Sequence, residues 1–113
     1  MKNSYADFAL LFKALSDETR LKIIDMLSCG ELCACEILER VNITQSTLSY
    51  HMKILSECGL VNAKREGAWM HYTLNDETVK RITEYWTSST SSKMDCACHI
   101  CCEPKVENCE SQE

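Results

Sequence analysis

Asn42-Ile43-Thr44-Gln45-Ser46-Thr47-Leu48-Ser49-Tyr50-His51-Met52-Lys53-Ile54-Leu55 holds a break, a cap and an amphipathic helix in fourteen residues. Thr44 is of the N-cap type, and the helix it opens runs from Gln45 to Cys58, where Gly59 closes it. Leu48, Met52 and Leu55 fall on one stripe and are expected to pack inward. Gln45, Ser46, Ser49, Tyr50 and Lys53 fall on the other. Short hydrogen-bonding groups with one cation suit base edges and phosphates. On an isolated helix such a stripe is merely solvated, so its neighbours decide the matter. His51 reads as a packed or phosphate-facing histidine rather than a ligand.

Upstream, residues 4–15 recur at helical spacing through Tyr5, Phe8, Phe12 and Leu15, with Leu11 on the flank. Ser16 is the expected cap of a second helix that reaches Ser28 before Gly30, with Leu21, Ile24 and Leu27 inward. A short third helix is expected from Leu32 to about Arg40. Downstream the period becomes two. Leu60 to Lys64 and Ala68 to Leu74 read as strands joined by Arg65-Glu66-Gly67, with Met70, Tyr72 and Leu74 inward. A fifth helix starts at Asp76 and gathers Val79, Ile82 and Trp86 on one face. Four helices, a hairpin and a helix predict a winged helix-turn-helix, mainly α with a β-hairpin wing (α+β). Its second motif helix would enter the DNA major groove, and Lys64 and Arg65 on the wing would join the DNA-facing set.

The chain has 113 residues, one domain's worth, and a net charge of −5. The acid is uneven: residues 93–113 hold five acids and two bases, so the body is close to neutral. From Asn42 to Tyr72 three bases face two acids, which leaves a reading surface able to be locally positive. The first residues carry no apolar leader pattern, and no apolar run approaches the roughly 20 residues of a membrane span. A cytoplasmic, reducing setting is expected, where nine cysteines mean metal or redox chemistry rather than disulfides. From Thr87 to Ser92 every residue is Ser or Thr. The expected organisation is therefore a DNA-binding and dimerisation domain over 1–88 and a linker with a Cys-rich acidic tail over 89–113.

Cys33 and Cys35 stand at the head of the third helix, just before the reading helix. Two residues apart on an α-helix point about 200° apart. If both lie on an intact helix, one soft ion can hold them only by unwinding its first turn. That would be a switch.

Glu31-Leu32-Cys33-Ala34-Cys35-Glu36 resembles the ELCVCD box of the ArsR/SmtB metalloregulatory repressors. Ala14 to Ile23 resembles that family's opening signature, Gln45 to His51 its recognition helix, and Glu66 to Tyr72 its wing. The resemblance covers about residues 6–86. It implies a homodimer, paired through its terminal helices on double-stranded operator DNA with an imperfect inverted repeat, and released by a metal or metalloid. The arsenic-responsive members are the most similar, which implies As(III) or Sb(III) as inducer and no organic cofactor. Those members add a third Cys three residues after the second, where this chain has Leu38. Cd(II)/Pb(II)-responsive relatives use a Cys near the N-terminus, and this chain has none before Cys29. The aspartate and histidine pairs of Zn-responsive relatives are missing too, since Asp76 to Trp86 contains no His.

The third sulfur has three possible sources: Cys29, the tail thiols Cys96, Cys98, Cys101 and Cys102, or an exogenous thiol. Cys58 reads as simple packing. A Cd(II)/Pb(II) sensor or a thiol-redox sensor of the same fold is the near alternative, and a Cys-rich metal buffer the distant one. Catalysis is not expected. No Cys has the Arg six positions on that a thiol-phosphatase-like loop needs, and the only C-x-x-C, Cys98 to Cys101, lies in the tail.

Overall fold

The computed structural model describes residues 3–92. Its elements are α1 (Tyr5–Leu15), α2 (Glu18–Leu27), β1 (Leu32–Cys33), α3 (Ala34–Leu38), α4 (Gln45–Glu57), β2 (Val61–Glu66), β3 (Trp69–Leu74) and α5 (Asp76–Thr90). The expected helix order and hairpin are present, and together they form a winged helix-turn-helix. The sheet has a third strand, β1, which the sequence reading had assigned to the start of the third helix. The strand order is β1-β3-β2, antiparallel throughout, with Leu32 opposite Tyr72 and Cys33 opposite His71.

The core gathers Phe8 and Leu11 of α1, Ile23 and Leu27 of α2, Ile37 of α3, Leu48, Met52 and Leu55 of α4, and Tyr72 of β3. Two expected inward residues lie outside. Tyr5 is 83% exposed and Leu21 is 52% exposed, whereas Ile23 is fully buried. The start of α2 also differs from the expectation. Asp17, not Ser16, is its N-cap: Asp17 Oδ2 accepts the Arg20 N–H at 3.0 Å, and this bond holds its carboxyl below the usual range. The Ser16 hydroxyl instead donates to Lys13 O at 2.8 Å and finishes α1.

Thr44 caps α4 as expected, its Oγ1 accepting the Thr47 N–H at 3.1 Å. Gly59 takes φ +88 beyond the helix end, a conformation only glycine adopts cheaply. The wing turn is tighter than expected. Val61 to Glu66 pairs with Trp69 to Leu74, leaving only Gly67 and Ala68 in the turn, with Gly67 at φ +66 in the first central position.

The Ser/Thr run also begins inside a helix, because α5 continues to Thr90. Its hydroxyls turn back onto the helix. Thr83 Oγ1 donates to Val79 O at 3.0 Å, Thr90 Oγ1 to Trp86 O at 2.7 Å, and Ser91 Oγ to Thr87 O. Composition alone reads these residues as a linker, whereas hydroxyl-to-carbonyl bonds one turn back are compatible with helix. Tyr85 stacks on Phe8 with ring centroids 4.1 Å apart and so joins α5 to α1. Val79 and Trp86 remain exposed. Among the described residues no helix is long and apolar enough to cross a membrane.

The neighbours Leu21 and Ile23 should respond very differently to truncation. In urea unfolding at fixed protein concentration, Ile23→Ala is expected to cost about 2–5 kcal/mol, because it opens a cavity in a packed core. Leu21→Ala should stay within about 1 kcal/mol.

Candidate metal centre and nucleic-acid interface

Gln45, Ser46, Ser49, Tyr50 and Lys53 are all exposed on α4, on the side away from buried Leu48, Met52 and Leu55. The helix is seated by a contact that sequence reading missed. Arg20 Nη1 lies 3.0 Å from Nδ1 of buried His51, while Arg20 Nε donates to Ala14 O at 2.6 Å. A guanidinium has no acceptor, so His51 Nδ1 accepts and its ring proton sits on Nε2. His51 is therefore a packing residue, and its place is fixed from α2. An arginine three residues after a capping aspartate was the available signal, since its side chain must find acceptors near the turn.

Lys64 and Arg65 are exposed on β2, but Lys64 is already engaged. Its Nζ lies 3.0 Å from Glu66 Oε2, and this hydrogen bond raises the ammonium's pKa. Exposed pairs of this kind contribute about 0–1 kcal/mol, so a phosphate can compete for the lysine.

Cys33 is not on a helix. It is the last residue of β1 and the N-cap of α3, with extended φ −88 and ψ 164, and Cys35 lies in the first turn. The expectation that both cysteines lie on one intact helix is therefore corrected, because only Cys35 does. Hydrogen bonding from the Cys33 side chain is the main cause that raises the Cys35 thiol pKa, with burial adding to it. The Cys33 N–H donates to Glu36 Oε1 at 2.8 Å, which holds the Glu36 carboxyl below its usual range. Both thiols are half-buried.

Among the described residues no third thiol joins the pair in a cluster. Cys29 is exposed beyond the C-cap of α2. Leu38, three residues after Cys35, packs against the core. Cys58 is half-buried, donates its thiol to Leu55 O at 3.4 Å, and is pushed up in pKa by burial. Cys96, Cys98, Cys101 and Cys102 lie outside the described residues. His71 was also missed at first. The register sets it directly across from Cys33, with Glu31 Oε2 at 3.0 Å from its Nδ1.

Residues 17–63 match the family described as bacterial regulatory protein, arsR family. The chain is 43% identical over 95 residues to the arsenical resistance operon repressor of Staphylococcus xylosus, covering 84% of this chain and 91% of that protein. It is 40% identical over 84 residues to a cadmium resistance transcriptional regulatory protein homolog of Staphylococcus aureus, covering 74% and 69%. Its fold is similar to a homodimeric winged helix-turn-helix DNA-binding domain of Mycobacterium bovis, a possible ArsR-family transcriptional regulator. That likeness has a TM-score of 0.63 and 27% identity, over 74% of this chain and 79% of that one. Family match, long alignments and fold agree: the chain belongs to the ArsR family and is a winged-helix transcriptional repressor, not an enzyme.

Proposed function

We propose that this repressor holds its operator as a homodimer and releases it when As(III) or Sb(III) is captured by the Cys33 and Cys35 thiols, derepressing an arsenic-resistance operon. The observation that carries the reading is the placement of Cys33 and Cys35 at the junction of β1 and α3. That junction touches both DNA-facing parts. The chain leaves α3 through Asn42-Ile43-Thr44 into α4, and Cys33 is paired with His71 of wing strand β3. An atom that draws both sulfurs onto itself therefore acts on reading helix and wing together. Arsenous acid exchanges its hydroxyls for sulfur, each thiol proton leaving with a hydroxide as water. Protonated thiols suffice for that exchange. The name of the Staphylococcus xylosus relative supports the same signal.

Gln45, Ser46, Ser49, Tyr50 and Lys53, with Lys64 and Arg65, are the proposed contacts to double-stranded operator DNA. Pairing runs through α1 and α5, whose exposed apolar groups include Leu10 at 60% and Trp86 at 59%. Such a patch calls for a cover, and a second copy of the chain supplies it as in the homodimeric Mycobacterium bovis domain. Two reading helices then enter successive major grooves, on half-sites of an imperfect inverted repeat about one or two helical turns apart. The cytoplasm is the compartment that holds both operator and reduced thiols.

The third sulfur comes from Cys29, from Cys96, Cys98, Cys101 or Cys102, or from an exogenous thiol. Residues 1–88, with α5 carrying on to Thr90, form the working domain, and covalent attachment of the Cys-rich remainder of residues 89–113 raises the local thiol concentration to about the millimolar range. The cadmium-resistance relative favours a second reading, Cd(II) or Pb(II) at the same pair.

Four measurements test this. Ser49→Ala with Tyr50→Ala should weaken operator binding more than random-DNA binding in fluorescence anisotropy, and equal losses would reassign the reading face. Cys33→Ser and Cys35→Ser should each still bind operator but lose release by As(III) and Sb(III). Parallel titrations with Cd(II), Pb(II) and Zn(II) decide between the signals, and peroxide-driven release with inertness to all five would point to thiol oxidation. Truncation after Ser92 should leave DNA binding intact and weaken the As(III) response without abolishing it. Loss of all metalloid binding on that truncation would instead assign binding to the tail, as a metal buffer requires.

A further inference from the structure

On the outer face of the sheet, away from Tyr72 and the core, the register gathers a second set of donors. Residues directly opposite in antiparallel strands share a face, and so do residues two apart in one strand. Cys33, His71 and Lys64 are opposite one another in turn across β1, β3 and β2. Glu66 lies two residues beyond Lys64, and Glu31 two residues before Cys33. Three of these side chains converge: one ligand atom each from Glu31, Glu66 and His71 all lie within 4.8 Å of one another. Among the described residues they are the one such set.

We propose that Glu31, Glu66 and His71 form a thiol-independent site for a divalent first-row cation, clasping the wing hairpin to the strand that carries Cys33. Two carboxylates and an imidazole are a mixed oxygen and nitrogen set of the kind that Mn(II), Zn(II) and their neighbours take. Three protein ligands with the remaining positions left to water is a familiar arrangement for such ions. His71 Nδ1 meets Glu31 Oε2 at 3.0 Å, and Glu66 Oε1 stands 3.7 Å from the other ring nitrogen, Nε2, beyond hydrogen-bond length. An ion takes one of the two nitrogens and draws the other carboxylate to it, across the 4.8 Å within which the three ligand atoms already lie. Partial exposure of all three residues leaves an entry path and room for water.

The site ties together parts that are far apart in sequence. Glu31 precedes β1, Glu66 ends β2 beside the Gly67 turn, and His71 sits in β3 between them. An ion bound here also competes with Lys64 for Glu66, whose Oε2 the ammonium holds at 3.0 Å. Filling the site therefore offsets two carboxylates and frees a wing cation on the DNA side. The inference does not depend on the thiolate reading.

Mn(II) is the probe, because it prefers oxygen and nitrogen to thiols and its unpaired electrons broaden nearby proton signals. In the full-length protein, substoichiometric Mn(II) should broaden the His71 ring resonances well before those of His51, which is buried against Arg20. Glu31→Gln and Glu66→Gln should each weaken Mn(II) binding at least roughly tenfold while leaving the remaining spectrum folded. A Cys33→Ser/Cys35→Ser double variant should bind Mn(II) as the parent does. Equal broadening of His71 and His51, unchanged affinity in both glutamine variants, or loss of binding in the double serine variant would each overturn the proposal.

Discussion

Two residues of backbone pairing organise this molecule: Leu32 and Cys33 laid against Tyr72 and His71. Without that bridge the wing would be a bare two-stranded hairpin, which is marginal on its own. With it, β3 becomes a central strand and Tyr72 is pressed into the core. The same bridge starts α3. Five residues are too few to hold a helix by propensity, so α3 depends on what fixes its ends. Cys33 is held by the ladder at one side, Glu36 receives its N–H, and Ile37 is fully buried below. The Cys33 and Cys35 pair thus sits where strand, helix and core are joined.

Much of this was legible from residue order. The reading helix announced itself through Thr44, the Leu48, Met52 and Leu55 stripe and Gly59, because caps and period are local properties. The hairpin was legible for the same reason, although its turn closes on Gly67 and Ala68. What stayed hidden was set by contacts distant in sequence. A two-residue strand has no periodicity to read, so β1 disappeared into the helix beside it. Ser16 and Asp17 are both good caps, and here the local pattern alone does not choose: Asp17 takes the Arg20 N–H while Ser16 closes α1. Nor does the α2 pattern show that Ile23 is buried and Leu21 exposed, which depends on what packs against the helix.

The candidate site was half legible. The C-x-C spacing pointed to soft-ion chemistry, but the backbone that carries it is not the expected one: Cys33 is extended and ends β1, and only Cys35 is helical. His71, Glu31 and Glu66 could not be found by spacing at all, since a cross-strand register assembles them. The wing's charge was also more intricate than its composition, with Lys64 held by Glu66 and only Arg65 left to face outward without that constraint.

Arg20 deserves a mechanical description. Its planar fork spans the last turn of α1 at Ala14 O and the middle of α4 at His51 Nδ1, while its own N–H closes the start of α2. A rigid plane anchored at three helices behaves as a gusset. The corner between α1 and α2 cannot flex without breaking one of its bonds, and α4 cannot roll without losing another. The orientation of α4 is therefore tied, through one side chain, to the turn between α1 and α2.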